Sequence, residues 1–99
     1  MKINIQFQHA TLRDELRDFV TQRVKGLSRF DENILTGDVH LLKDNSTGTE
    51  NKVCEIKLVM PGGDLFTKQK AVSFEEATTR AVTALERQIE KKKNGTKSY

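Results

Sequence analysis

The sequence predicts an α+β domain of order β-α-β-β-β-α, with a four-stranded sheet and two helices packed on one face. Three observations predict it. Short segments near residue 3 and again between residues 37 and 72 alternate apolar and polar residues with the two-residue period of a strand. Two longer stretches, one after the first strand and one at the C-terminal end, repeat apolar residues at 3.6-residue spacing. Only brief polar turns separate the last three strands, so antiparallel hairpins connect them and a single sheet is the economical answer.

Residues 2–8 set Ile3, Ile5 and Phe7 against Lys2, Asn4 and Gln6, a half-buried first strand. Thr11 with Asp14 three residues on resembles a capping pair, and opens a helix from about 12 to 29. Leu12, Leu16, Phe19, Val20, Val24 and Leu27 line its inner face. Arg23 falls inside that apolar arc, so its stem must lie on apolar surface while its head reaches water. Residues 37–43 form the second strand, 44–49 a polar hairpin loop, and 51–60 the third strand, with Cys54, Ile56, Leu58 and Met60 on one face. Pro61-Gly62-Gly63-Asp64 is a turn signal, and 65–72 the fourth strand, with Lys68 and Lys70 on one side. Ser73 is the expected N-cap of the last helix, Glu75 and Glu76 suit its first turn, and Gly95 is the expected stop. Phe74, Ala77, Thr78, Ala81, Leu85 and Ile89 should pack inward, and the aromatics as a group read as core. Residues 1–95 are thus expected to form one domain and 96–99 a frayed tail.

Ninety-nine residues suffice for one core without a disulfide or metal. The single cysteine, Cys54, excludes an internal disulfide and a zinc-binding cysteine cluster. No apolar run approaches the ~18–20 residues of a membrane span, and the alternating N-terminus is no signal-peptide core. A cytoplasmic location and no membrane partner are expected. The net charge of +3 is small, but its distribution is uneven. Arg80, Arg87, Lys91, Lys92, Lys93 and Lys97 face only Glu86 and Glu90 between residues 80 and 97, so that segment carries +4 and the rest of the chain −1. Clustered charge is the electrostatic footprint of a nucleic-acid binder.

At roughly 100° per residue, Arg80, Arg87 and Lys91 fall within about 40° of one another, away from the core direction and about 16 Å from end to end. That spacing suits a row of phosphates better than one small anion, and Lys92 and Lys93 carry the charge around the helix end. A plainer reading exists, since cations in a last turn also complement the helix dipole. No ladder of Asn or Gln accompanies the cations, so backbone and shape recognition of RNA is expected rather than base readout.

No catalytic set converges. His9 and His40 lie on different elements, and a Cys54 pointing inward is an inert thiol. Pro61-Gly62-Gly63 lacks the Gly-Lys-Ser/Thr of a phosphate loop. Asn45-Ser46-Thr47 and Asn94-Gly95-Thr96 match glycosylation sequons by chance in a cytoplasmic protein. Asp31–Glu32 and Glu75–Glu76 have no matching metal-ligand partners. The expectation is a non-enzyme with no metal, no cofactor and no small-molecule substrate.

Ser73-Phe74-Glu75-Glu76-Ala77 followed by Ala84-Leu85-Glu86-Arg87-Gln88-Ile89-Glu90-Lys91 resembles the ribosome hibernation-promoting factors and ribosome-associated inhibitor A, a family also labelled sigma-54 modulation proteins. The likeness extends through Met1–Gln8, Leu16-Arg17-Asp18-Phe19-Val20 and the Lys25-x-Leu27 exit to Phe30, and the chain resembles the family's short type. The resemblance implies a fold like a double-stranded-RNA-binding domain. It also implies binding to small-subunit rRNA in the channel used by messenger and transfer RNA, with translation blocked in stationary-phase ribosomes, and a protein monomeric off the ribosome. Carried over by position, Arg23, Arg29, Arg87 and Lys91 match basic positions of the family. Lys68, Lys70, Arg80, Lys92 and Lys93 are added from charge geometry alone. The chain departs from many members at Ser73-Phe74-Glu75, where Asp-Met-Tyr is frequent, at Thr79, where an acid is frequent, and at Ala84, where lysine is frequent. The sigma-54 label supplies the alternative, a protein-interaction module acting in transcription.

Overall fold

The computed structural model describes residues 1–8, 11–45 and 48–95. His9, the Asn45-Ser46-Thr47 sequon beyond its first residue, and the expected tail at 96–99 lie outside them. Strand β1 spans Lys2–Phe7, helix α1 Asp14–Lys25, β2 Thr36–Lys43, β3 Lys52–Val59, β4 Leu65–Ala71 and α2 Phe74–Gly95. The sheet order is β1-β2-β3-β4. β2, β3 and β4 pair antiparallel, with His40 opposite Glu55 and Glu55 opposite Lys68. β1 lies parallel to β2, with Ile5 opposite Val39. A parallel pair cannot be closed by a tight turn, and α1 supplies the crossover.

The alternation read from the sequence decides which face each strand buries. Val39 and Leu41 of β2, Cys54, Ile56 and Leu58 of β3, and Ala71 of β4 face the helices and are buried, joined by Val20 and Val24 of α1 and Ala77, Ala81, Leu85 and Ile89 of α2. Phe7 and Phe74 close one end of this core in an edge-to-face pair at 5.0 Å. Gly37 lets α1 come down onto β2. A Cβ there would stand 3.0 Å from Val24 Cγ1 and 3.3 Å from Met1 Sδ. Phe66 departs from the all-core expectation for aromatics. Because Thr67 and Ala71 point inward, Phe66 must point outward, and it is 55% exposed on the helix-free face.

Helix boundaries carry two corrections. α1 begins at Asp14 behind an extended Arg13 with no side-chain cap, so the Thr11–Asp14 capping pair does not form. Its expected last turn, Gly26–Arg29, is a separate 3₁₀ turn. The Ser28 hydroxyl donates to the Lys25 carbonyl at 2.8 Å, and the Phe30 amide donates to Leu27, which tightens the chain there. The second helix starts as its sequence demands. Ser73 Oγ accepts from the Glu76 amide at 3.1 Å.

Candidate nucleic-acid interface

Helix α2 places its cations by rotation. Leu85 and Ile89 point into the sheet, so Arg87 points away from it, and Lys91 follows one turn later on the same flank. Both are exposed, and neither makes a hydrogen bond or ion pair with any described residue. On the first helix Arg23 is exposed, with its guanidinium 5.1 Å above the Phe19 ring, which realises the stem-on-apolar, head-in-water placement expected for it. Arg29 is exposed on the 3₁₀ turn. Arg23 and Arg29 line a cleft of about 250 Å³ between the helices, whose α2 wall is Val82 and Glu86.

The other expected cations are held by neighbours. Arg80 Nη1 lies 3.0 Å from Glu50 Oε1 and donates to the Lys70 carbonyl at 2.6 Å, while Nη2 lies 2.9 Å from Glu76 Oε1. The Glu50 hydrogen bond, with the charge of Glu76 behind it, holds the guanidinium above its ordinary pKa. The expected three-cation ridge is therefore corrected to two open cations, Arg87 and Lys91. Arg80 sits close enough to the free edge of β4 to reach its carbonyl, and two carboxylates offset its charge. Lys70 is 2.5 Å from Asp44 on the helix-free side, and Lys68 is 4.0 Å from Glu55, itself 3.8 Å from His40 Nδ1. Lys92 Nζ donates to the carbonyls of Pro61 and Gly63 at 3.2 and 2.9 Å, and Lys93 reaches the Phe30 carbonyl.

Sequence reasoning missed the residues that hold these cations. The Glu76–Arg80 pair had a signal, an acid four residues before a base on one helix. Glu50, thirty residues from Arg80, had none. Gln88, read only as part of a motif, donates to the Phe66 carbonyl at 3.1 Å.

Little here suits covalent chemistry. Burial pushes the Cys54 thiol up to about 11, against the lowering effect of the Thr78 hydroxyl 3.7 Å away. Among the described residues no group of three or more His, Cys, Asp or Glu is placed to hold a metal ion. No described helix is long and apolar enough to cross a membrane.

Comparison with solved structures gives the N-terminal domain of Thermus thermophilus Protein Y, 25% identical, with a TM-score of 0.79 over 92% of this chain and 98% of that one. A ribosomal subunit interface protein from Coxiella burnetii, 15% identical, superposes with a TM-score of 0.82 over 95% of this chain and 99% of that one, and shares the fold. Comparison with curated proteins found no match. The family model described as sigma 54 modulation protein / S30EA ribosomal protein matches residues 3–97, nearly the whole chain, and takes in every strand and helix except the first residue of β1. The chain belongs to the sigma 54 modulation protein / S30EA ribosomal protein family.

Proposed function

We propose that this protein is a ribosome-associated inhibitor of translation, held to small-subunit rRNA by phosphate contacts from its helical face. The observation that carries the reading is the pair Arg87 and Lys91, exposed on the outward flank of α2 and bonded to no described residue. Arg23 and Arg29 add two open cations on the neighbouring helix. Membership of a family described as a ribosomal protein supports a ribosomal partner. The action is steric. A domain with one continuous core occupies the messenger and transfer RNA channel and needs no cofactor, metal or membrane. It works as a cytoplasmic monomer. Lys68, Lys70, Arg80, Lys92 and Lys93 enter the interface only by exchanging their present partners for phosphate, so they contribute less per residue than the open four.

Sedimentation with purified small subunits at low salt tests the reading. The protein should co-migrate, and Arg87→Glu with Lys91→Glu should abolish that co-migration. No co-migration of the unaltered protein would end the proposal. The family description also names sigma 54. If the chain is instead a module that binds a protein of the transcription machinery, the same charge reversal should leave that binding largely intact.

A further inference from the structure

Helix α2 runs beside the outer edge of β4 and bonds to it at two places. Arg80 donates to the Lys70 carbonyl and Gln88 to the Phe66 carbonyl. The match is metric. Eight helical residues rise about 12 Å and four strand residues about 13 Å, so the two elements keep step. By the same step, Ala84 at the middle of the helix interval corresponds to Lys68 at the middle of the strand interval. Strand alternation turns the Lys68 carbonyl to the same open edge as those of Phe66 and Lys70. A methyl group cannot donate, and no described side chain bonds that carbonyl. Beside the gap lies a hollow of about 320 Å³ lined by Gln69, Thr79, Arg80, Thr83, Ala84 and Arg87.

We propose that this notch recognises a ribose–phosphate unit of RNA: Arg87 and the Thr83 hydroxyl take the phosphate, and the ribose 2′-hydroxyl donates to the Lys68 carbonyl. The ligand chemistry follows from what the notch offers. An open cation and a hydroxyl lining the hollow suit a phosphate, and a bare acceptor on the strand edge next to Gln69 suits a donor carried by the same nucleotide. The ribose 2′-hydroxyl is such a donor, and it is the group that separates RNA from DNA. The small residue at position 84 is what leaves room for the sugar. The inference rests on the RNA-binding reading above and adds to it a discrimination that phosphate contacts alone do not give.

The test uses the full chain and two labelled stem-loops of one sequence, one of ordinary RNA and one 2′-fluoro substituted, which keeps the A-form helix and removes the donor. In fluorescence anisotropy at fixed salt the protein should bind the hydroxyl form about 2- to 12-fold more tightly, the worth of one net hydrogen bond. Ala84→Leu, which fills the notch without changing charge, should erase that preference by weakening the hydroxyl arm more than the fluoro arm. In ¹⁵N spectra of the unaltered protein, the Gln69 amide, which shares a peptide unit with the Lys68 carbonyl, should shift with the hydroxyl stem-loop and much less with the fluoro one. Equal binding of the two stem-loops, or no difference at Gln69, overturns the inference while leaving RNA binding intact. A preference that survives Ala84→Leu, or equal weakening of both arms, also overturns it. Failure to bind either stem-loop or small subunits overturns this inference and the proposed function together.

Discussion

Replacing Arg87 and Lys91 together by glutamine separates open cations from tethered ones. Both sites are exposed and bond to no described residue, and glutamine is a good helix former, so stability should move by no more than about 0.5 kcal/mol. Binding should change in a way that salt exposes. Each neutralised phosphate contributes roughly 0.7–0.9 to the slope of log affinity against log salt, and between about 50 and 200 mM that is close to a threefold loss per contact. Two contacts are worth about tenfold. The unaltered protein should therefore lose about ten times more affinity over that range than the double variant does. Fluorescence anisotropy with an rRNA stem-loop, or sedimentation with small subunits at four salt concentrations, reads this directly. Arg80→Gln is the internal control. Its guanidinium already faces Glu50 and Glu76, so the slope should stay nearly unchanged. An unchanged slope in the double variant, or an equal drop in Arg80→Gln, would refute the assignment of the interface to Arg87 and Lys91.

Cys54 should resist thiol reagents near pH 8 in the folded protein and react once it unfolds. Its thiol is buried and pushed up to about 11, while the unfolded chain ionises near the ordinary thiol value of 9.0, so this group should cost stability only as pH rises from about 9 toward 11, at no more than ~1.4 kcal/mol per unit. Alkaline urea melts of the protein and of Cys54→Ala should converge or cross in that window. Gly37→Ala drives a methyl to 3.0 Å from Val24 Cγ1 and should destabilise by about 1–3 kcal/mol in the same assay, with Val24→Ala recovering part of the loss. Ser73→Ala removes the acceptor of the Glu76 amide and should cost about 1 kcal/mol, some 4–8 °C in melting temperature for a domain of this size. Leu85→Ala, at the centre of the core, should cost about 2–5 kcal/mol and leave the salt slope of any folded fraction unaltered.

The elements were legible because each carried its own period. Ile3, Ile5 and Phe7, or Cys54, Ile56 and Leu58, announce a strand and its inner face with no knowledge of the rest of the chain. The start of α1 was misread because Thr11 and Asp14 have cap chemistry at cap spacing, whereas the chain stays extended through Arg13. The parallel pairing of β1 has no local mark, since register across a crossover is set by which core the helix covers. The candidate interface was legible in its direction and not in its occupancy. Helical rotation alone puts Arg80, Arg87 and Lys91 on one flank. Only the fold shows that the chain just before β3 carries Glu50 to Arg80, or that the β3–β4 turn presents two carbonyls to Lys92.

Arg80, Gln88 and Lys92 together fasten α2 to β4 and its preceding turn at three places along about 18 Å of helix. A rod sewn down at three points can neither roll nor slide, so its azimuth is locked. A one-residue insertion between Gln88 and Lys91 would turn the downstream side chains by about 100° and unpick the last stitch. The polar groups along this seam thus act as a jig: they set the angle at which Arg87 and Lys91 are offered to solvent before any partner arrives, and docking need not spend entropy on aligning the helix.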